Sequence, residues 1–198
     1  EEINAKCRKV LTYKYILGLE RKPFVKLSGL GTRINTPQTR DLISRLNLAA
    51  ITVLNNKNDV LPLHPDLKEA AILNVGKPEE IEPFDRKMKK YTSFARFQLR
   101  KDLPEAEQQK LRDSLAAYRR VIVTVTEQRL APYQSFFAKF APESPVIYVF
   151  YTPAKSMLQI QRAVSAAEAV VLAHASRDDV QERVADLLFG KATADGRL

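Results

Sequence analysis

The sequence predicts an α/β protein, a three-layer α/β/α sandwich built on a mostly parallel sheet of five or six strands. From Ala70 onward, short apolar runs alternate with longer helical patterns at a spacing of about two dozen residues, the signature of βαβ units. Three of these runs, Val121–Val125, Val146–Phe150 and Ala169–Ala173, are almost wholly apolar, as strands covered on both faces must be. Parallel neighbours also require right-handed crossovers, and these place helices on both faces of the sheet.

The elements follow in order. Ile3, Cys7, Val10 and Leu11 stand at helical spacing. Arg21 to Asn35, with Pro23, Gly29 and Gly31 and little periodicity, reads as a connector. Thr36 as cap and Pro37 as first residue start a long helix, whose apolar positions Leu42, Ile43, Leu46, Ala49, Ala50, Val53 and Leu54 repeat at three and four. The first strand is expected at Ala70–Val75. The second, Tyr91–Leu99, alternates imperfectly and is expected nearer an edge. Asp102 and Glu105 open a helix with Leu111, Leu115 and Tyr118 on one side. Val121–Val125 follows, then a helix opened by Pro132 and carrying Phe136, Phe137 and Phe140. Val146–Tyr151 is the next strand, Pro153 begins a helix through Met157 and Ile160, and Ala169–Ala173 is the last strand. In the final helix Ser176 and Asp179 resemble a capping box, Val180, Val184, Leu187 and Leu188 make one stripe, and Gly190 supplies the C-terminal cap.

Two stretches more than a hundred residues apart carry a family resemblance. Leu187-Leu188-Phe189-Gly190, followed through a small polar turn by Asp195-Gly196-Arg197-Leu198, is similar to the close of the C-terminal domain of family 3 glycoside hydrolases. Leu48 to Lys57, followed by Leu61-Pro62-Leu63, resembles that family's A-x-x-x-x-x-L-x-N helix and the L-P-L after it. The resemblance implies an α/β sandwich that follows a (β/α)8 barrel. Residues 1–35 would be the end of the barrel domain and the linker, with Ile3 to Gly18 as its last helix, and residues 36–198 the sandwich. Both ends then read as cuts in a longer protein, whose bacterial relatives imply export, with any signal lying upstream.

Composition narrows the function classes. The chain of 198 residues, 45% hydrophobic, is large enough for a substantial core. Its single cysteine, Cys7, excludes an internal disulfide and a thiolate metal cluster. No apolar run reaches the roughly eighteen residues of a membrane span. The net charge of +9 concentrates in the first third and in Arg86 to Lys101, but no nucleic-acid motif accompanies it, so a solvated face or a domain interface is expected.

Searches for chemistry find little. There is no G-x-G-x-x-G after a strand, no P-loop and no G-x-S-x-G elbow, and no cofactor is expected. His174 and Glu127 stand at expected carboxyl ends of strands, where open α/β sheets bind ligands, and either could act as an acid or base facing a sugar. The plainer expectation is a hydrogen-bonded structural histidine and a surface carboxylate. His64, between Leu63 and Pro65, is a loop residue, and two distant histidines make no metal site. The resemblance puts the family's nucleophilic aspartate on a barrel loop upstream, matched by no residue here. The glycine-rich loop of many members is replaced by Glu79-Glu80-Ile81-Glu82-Pro83-Phe84, which favours the N-acetylglucosaminidase-like type.

The expectation is therefore a non-catalytic domain with no catalytic residue, an unassigned binding role and no metal. Its partner would be the barrel of the same chain and its parent's substrate a carbohydrate with terminal β-linked glucosyl or N-acetylglucosaminyl residues. The alternative is a free-standing basic module for polyanions. A third reading, a compact enzyme acting through Glu127 or His174, lacks a second catalytic group.

Overall fold

The computed structural model describes residues 2–21, 27–64, 70–140 and 145–197. Lys22, Pro23 and Lys26 of the connector, Pro65 after His64, and Leu198 of the terminal motif lie outside them. The chain divides into two compact units, 1–41 and 42–198.

In the first unit, α1 (Glu2–Ile16) has no buried residue, and Ile3, Val10, Leu11 and Ile16 are all exposed. The connector contains a short helix, α2 (Leu30–Ile34), that its sequence did not announce. The start of α3 (Pro37–Ala49) is as expected: Thr36 Oγ1 accepts from the Thr39 amide at 3.1 Å, with Pro37 at the first position.

The second unit holds a six-stranded sheet. Its strands are β1 (Thr52–Asn56), β2 (Ala70–Val75), β3 (Phe94–Leu99), β4 (Arg120–Val125), β5 (Val146–Phe150) and β6 (Ala169–Leu172), in the order β1-β6-β5-β4-β2-β3. All pairs are parallel except β1 with β6. The five expected strands are present and β3 lies at an edge.

β1 corrects the sequence reading. The long helix stops at Ala49, and Thr52 to Asn56 pair antiparallel with β6, with a bulge between Val53 and Asn55. A run such as Val53-Leu54 satisfies a helical stripe and a strand equally well. Pairing to an otherwise open strand decides between them. Asn56 then closes the following loop, donating to the Leu61 carbonyl and accepting from the Leu61 amide, both at 2.9 Å.

One face of the sheet, carrying Ile72, Ile122, Ile147 and Val171, is covered by α4 (Glu82–Met88) and α8 (Asp178–Leu188). The other, carrying Leu73, Val123, Tyr148 and Leu172, is covered by α5 (Glu105–Ala116), α6 (Gln134–Lys139) and α7 (Gln161–Ala166). This is the expected three-layer sandwich. α4 stands where the sequence reading saw only a departure from a glycine-rich loop. Ile81, Phe84 and Met88, spaced three and four apart, carry its apolar stripe, and all three are buried.

Three helix starts also differ from expectation. Asp102 has a positive φ of 60° and Pro104 is the N-cap of α5. Residues Ala154–Ile160 form a 3-10 stretch before α7. Ser176 caps nothing: its hydroxyl donates to the Glu80 carbonyl at 3.2 Å and accepts from Gln181 Nε2 at 3.1 Å. The fully buried Gln181 also accepts from the Phe84 amide and so ties α8 to α4.

Candidate functional site

Because β2 to β6 are mutually parallel, their carboxyl ends share one edge, and the chain leaves β2 for β3 on one side and returns to β4 on the other. Ligands of open α/β sheets bind in the crevice that such a reversal opens. Here the crevice is shut by main chain. The amides of Thr126 and Glu127 both donate to the Val75 carbonyl, at 3.0 and 3.2 Å, and Gln98 Nε2 donates to the Gly76 carbonyl at 2.7 Å. Gly76 has φ 141°, and a Cβ on it would collide with Thr126 Oγ1. A single glycine at this turn thus serves close packing rather than phosphate binding.

The two candidate acid/base residues do not meet: Glu127 takes part in this closure through its amide, and His174 follows β6, two strands farther along on the β4 side. Glu127, after β4, accepts from the Arg129 amide at 3.0 Å through Oε1, and so organises its own turn. Its charge contributes, after burial, to holding the Tyr133 hydroxyl above its ordinary pKa. His174, after β6, is half-buried with φ 62°, at the centre of a three-residue turn closed by the Ala175 amide on the Ala173 carbonyl at 2.7 Å. β5 lies between β4 and β6, so the two residues are separated by two strand spacings, roughly 10 Å. His64 is exposed in the loop after β1. Among the described residues no three His, Cys, Asp or Glu side chains gather into a metal site, and no helix is long and apolar enough to cross a membrane.

Sequence reasoning passed over the hydroxyls of this edge. Thr126 Oγ1, after β4, and Tyr151 Oη and Thr152 Oγ1, after β5, are shielded from solvent and meet no hydrogen-bond partner. Burial pushes the Tyr151 hydroxyl far up from its ordinary pKa, so it stays a neutral donor. Nothing in a run such as Phe-Tyr-Thr announces this, since a hydroxyl at a strand end is normally solvated.

The two signature stretches meet one another. The Leu63 amide donates to the Leu188 carbonyl at 2.6 Å, Gly190 packs on Pro62, and the Gly196 amide donates to the Ile51 carbonyl at 3.0 Å. Their residues join the last helix to the loop and strand that follow α3. They build a packing joint.

A scan of protein-family models finds no match to this sequence, and no curated protein matches it. Solved structures share its fold. A β-glucoside phosphorylase, BglX, aligns with TM-score 0.64 and 16% identity over 93% of this chain and 35% of its own. A fungal multi-domain GH3 β-N-acetylglucosaminidase aligns with TM-score 0.62 and 15% identity over 88% of this chain and 20% of its own. A β-glucosidase from Listeria innocua, solved with isofagomine, gives TM-score 0.56 and 15% identity over 91% and 29%. The chain thus spans about a third or less of each of these proteins, and what it shares with them is the fold.

Proposed function

We propose that this chain is the non-catalytic C-terminal sandwich of a family 3 β-glycosidase. In this reading residues 1–35 are the last helix of the catalytic barrel and the linker, and residues 36–198 pack on that barrel and border its active site. The parent protein hydrolyses terminal β-linked glucosyl or N-acetylglucosaminyl residues. One observation carries the reading: about nine tenths of the chain takes a fold found as a minor part of solved β-glycoside-processing enzymes, and its two family-like motifs form that fold's joint.

The geometry supports an auxiliary role. A retaining glycosidase needs two carboxyl groups about 5 Å apart across the scissile bond. Glu127 is tied into its own turn, and the other candidate, His174, lies beyond a strand from it. The uncovered apolar residues of α1 need a partner to leave water.

The test is hydrolysis of chromogenic β-glucoside and β-N-acetylglucosaminide by this chain alone and by a protein extended upstream through the barrel. Activity only in the longer protein is the expected result, and the preferred substrate then names the sugar. Hydrolysis by the chain alone, abolished by Glu127→Gln or His174→Ala, would overturn the reading. Silence of both proteins would favour the polyanion-binding alternative.

A further inference from the structure

At the opposite edge of the sheet, where the parallel strands begin, lies a cavity of about 370 Å³ lined by Asn58, Asp59, Pro62, His64, Arg120 and Glu168, among others. Its volume falls within the roughly 300–1,000 Å³ of small-molecule sites. We infer that it binds a small zwitterion, a free amino acid or dipeptide, with the ligand carboxylate on Arg120 and its ammonium group on Glu168 and Asp59. The inference stands independently of the glycosidase reading, which concerns the other edge.

The first ground is Arg120. It opens β4 between Ala70 of β2 and the Pro145–Val146 start of β5. Its Nε and Nη1 are shielded from solvent and meet no hydrogen-bond acceptor. Guanidinium N–H groups shielded from water without acceptors are costly, and a planar carboxylate, able to accept in a fork, is the group that matches them.

The second ground is that Glu168 is engaged by Asn58, which lines the same cavity, rather than by Arg120. Glu168 influences Arg120 electrostatically, yet its Oε2 accepts from Asn58 Nδ2 at 3.2 Å. Its main chain is fixed as well: its amide donates to the Val146 carbonyl at 3.0 Å and its carbonyl accepts from the Lys57 amide at 2.7 Å. The Glu168 side of the site is therefore held in place, with its carboxylate on Asn58 and no ion pair formed with Arg120.

The third ground is the balance of charge, which selects the ligand. The lining presents one arginine against the carboxylates of Asp59 and Glu168, with His64 at the rim. A phosphate dianion would be repelled by two carboxylates, and a simple cation by the guanidinium. A molecule with a carboxylate at one end and an ammonium at the other satisfies both.

The test follows the backbone amides of Asn58, Asp59 and Glu168 and the Arg120 Nε–H by ¹H–¹⁵N NMR of the full chain. It titrates glycylglycine and glycine, with acetate, methylammonium and inorganic phosphate as comparisons. Saturable shifts with the zwitterions are expected, with acetate and methylammonium weaker by about tenfold or more, the loss of one charge-assisted contact. Arg120→Met should abolish the shifts. Should that variant not fold, Arg120→Lys is expected to weaken binding. Glu168→Gln should weaken glycylglycine but not acetate. Absence of saturable shifts with either zwitterion, equal binding of acetate or phosphate, or indifference of glycylglycine affinity to Glu168→Gln would each overturn the proposal.

Discussion

Gly190 lies so close to Pro62 that a Cβ on it would stand 2.9 Å from the proline Cβ. With φ 69°, Gly190 also occupies the left-handed region that ends α8, where its amide bonds the Leu187 carbonyl at 3.0 Å and the Lys191 amide bonds the Asp186 carbonyl at 2.8 Å. One residue thus terminates the helix and seats it on the loop after β1. Gly190→Ala should destabilise the sandwich by roughly 2 kcal/mol, because backbone strain and collision act together. Gly31→Ala, where a Cβ meets nothing within 4 Å, should be neutral or mildly stabilising. Urea midpoints of the two variants check this; equal shifts would show that the joint is not tight.

Tyr91 is the second pin of α8. Its ring stacks on Phe189 with centroids 4.5 Å apart, and its hydroxyl donates to Asp186, which also pairs with Lys87 at 3.0 Å. The bond to Asp186, followed by burial, pushes the Tyr91 hydroxyl from 10.0 up to about 12. The folded state therefore holds this proton more tightly than the unfolded chain. The resulting stability is complete below the unfolded pKa and is lost as pH rises through the folded one. Tyr91→Phe should cost about 1.5 kcal/mol at neutral pH. Stability curves of wild type and variant should converge as pH rises between 10 and 12, and parallel curves would refute the pairing.

Asp179 supplies an acid-side counterpart. Burial raises the pKa of its carboxyl, but the Ser44 hydroxyl at 2.5 Å, Arg177 and the Val180 amide outweigh burial and hold it below the ordinary range. Its contribution is present above the unfolded aspartate pKa and lost as pH falls through the lower, folded value. Ser44→Ala should therefore destabilise at neutral pH by about 1 kcal/mol and lose that effect in acid. Thermal melts of both proteins at neutral and strongly acidic pH measure the difference.

Asp85 is 3% exposed and paired with Arg96 of the edge strand, whose side chain remains partly solvated. Arg96→Met strands a buried carboxylate and should cost about 3 kcal/mol, the lower end for a broken buried pair. Replacing both, Asp85→Leu with Arg96→Met, should recover much of the loss. A double-mutant cycle in urea tests this, and simple additivity would mean the pair is uncoupled.

Much of the architecture was legible because buried parallel strands must be apolar on both faces, as Val121–Val125 and Val146–Phe150 are. The edge position of β3 was legible from Arg96 and Gln98, which a central strand would not accommodate. β1 was not, because Val53 and Leu54 fit either period. α4 was missed because the stripe Ile81, Phe84, Met88 is short and contains Pro83. The candidate site was legible only as an absence of known machinery; neither the unpaired hydroxyls after β4 and β5 nor the unpaired guanidinium of Arg120 has a sequence signature.

The sequence by itself determined the fold class, the places along the chain of five of the six strands and the stop of the last helix, since these follow from local periodicity and from residues with restricted backbones. Tertiary structure alone decided that Thr52–Asn56 extends along β6, that Gly76 closes the crevice on Thr126, and that Gly190 meets Pro62. Each of these depends on a partner at least fifty residues away, and a local pattern contains no information about what will stand opposite it.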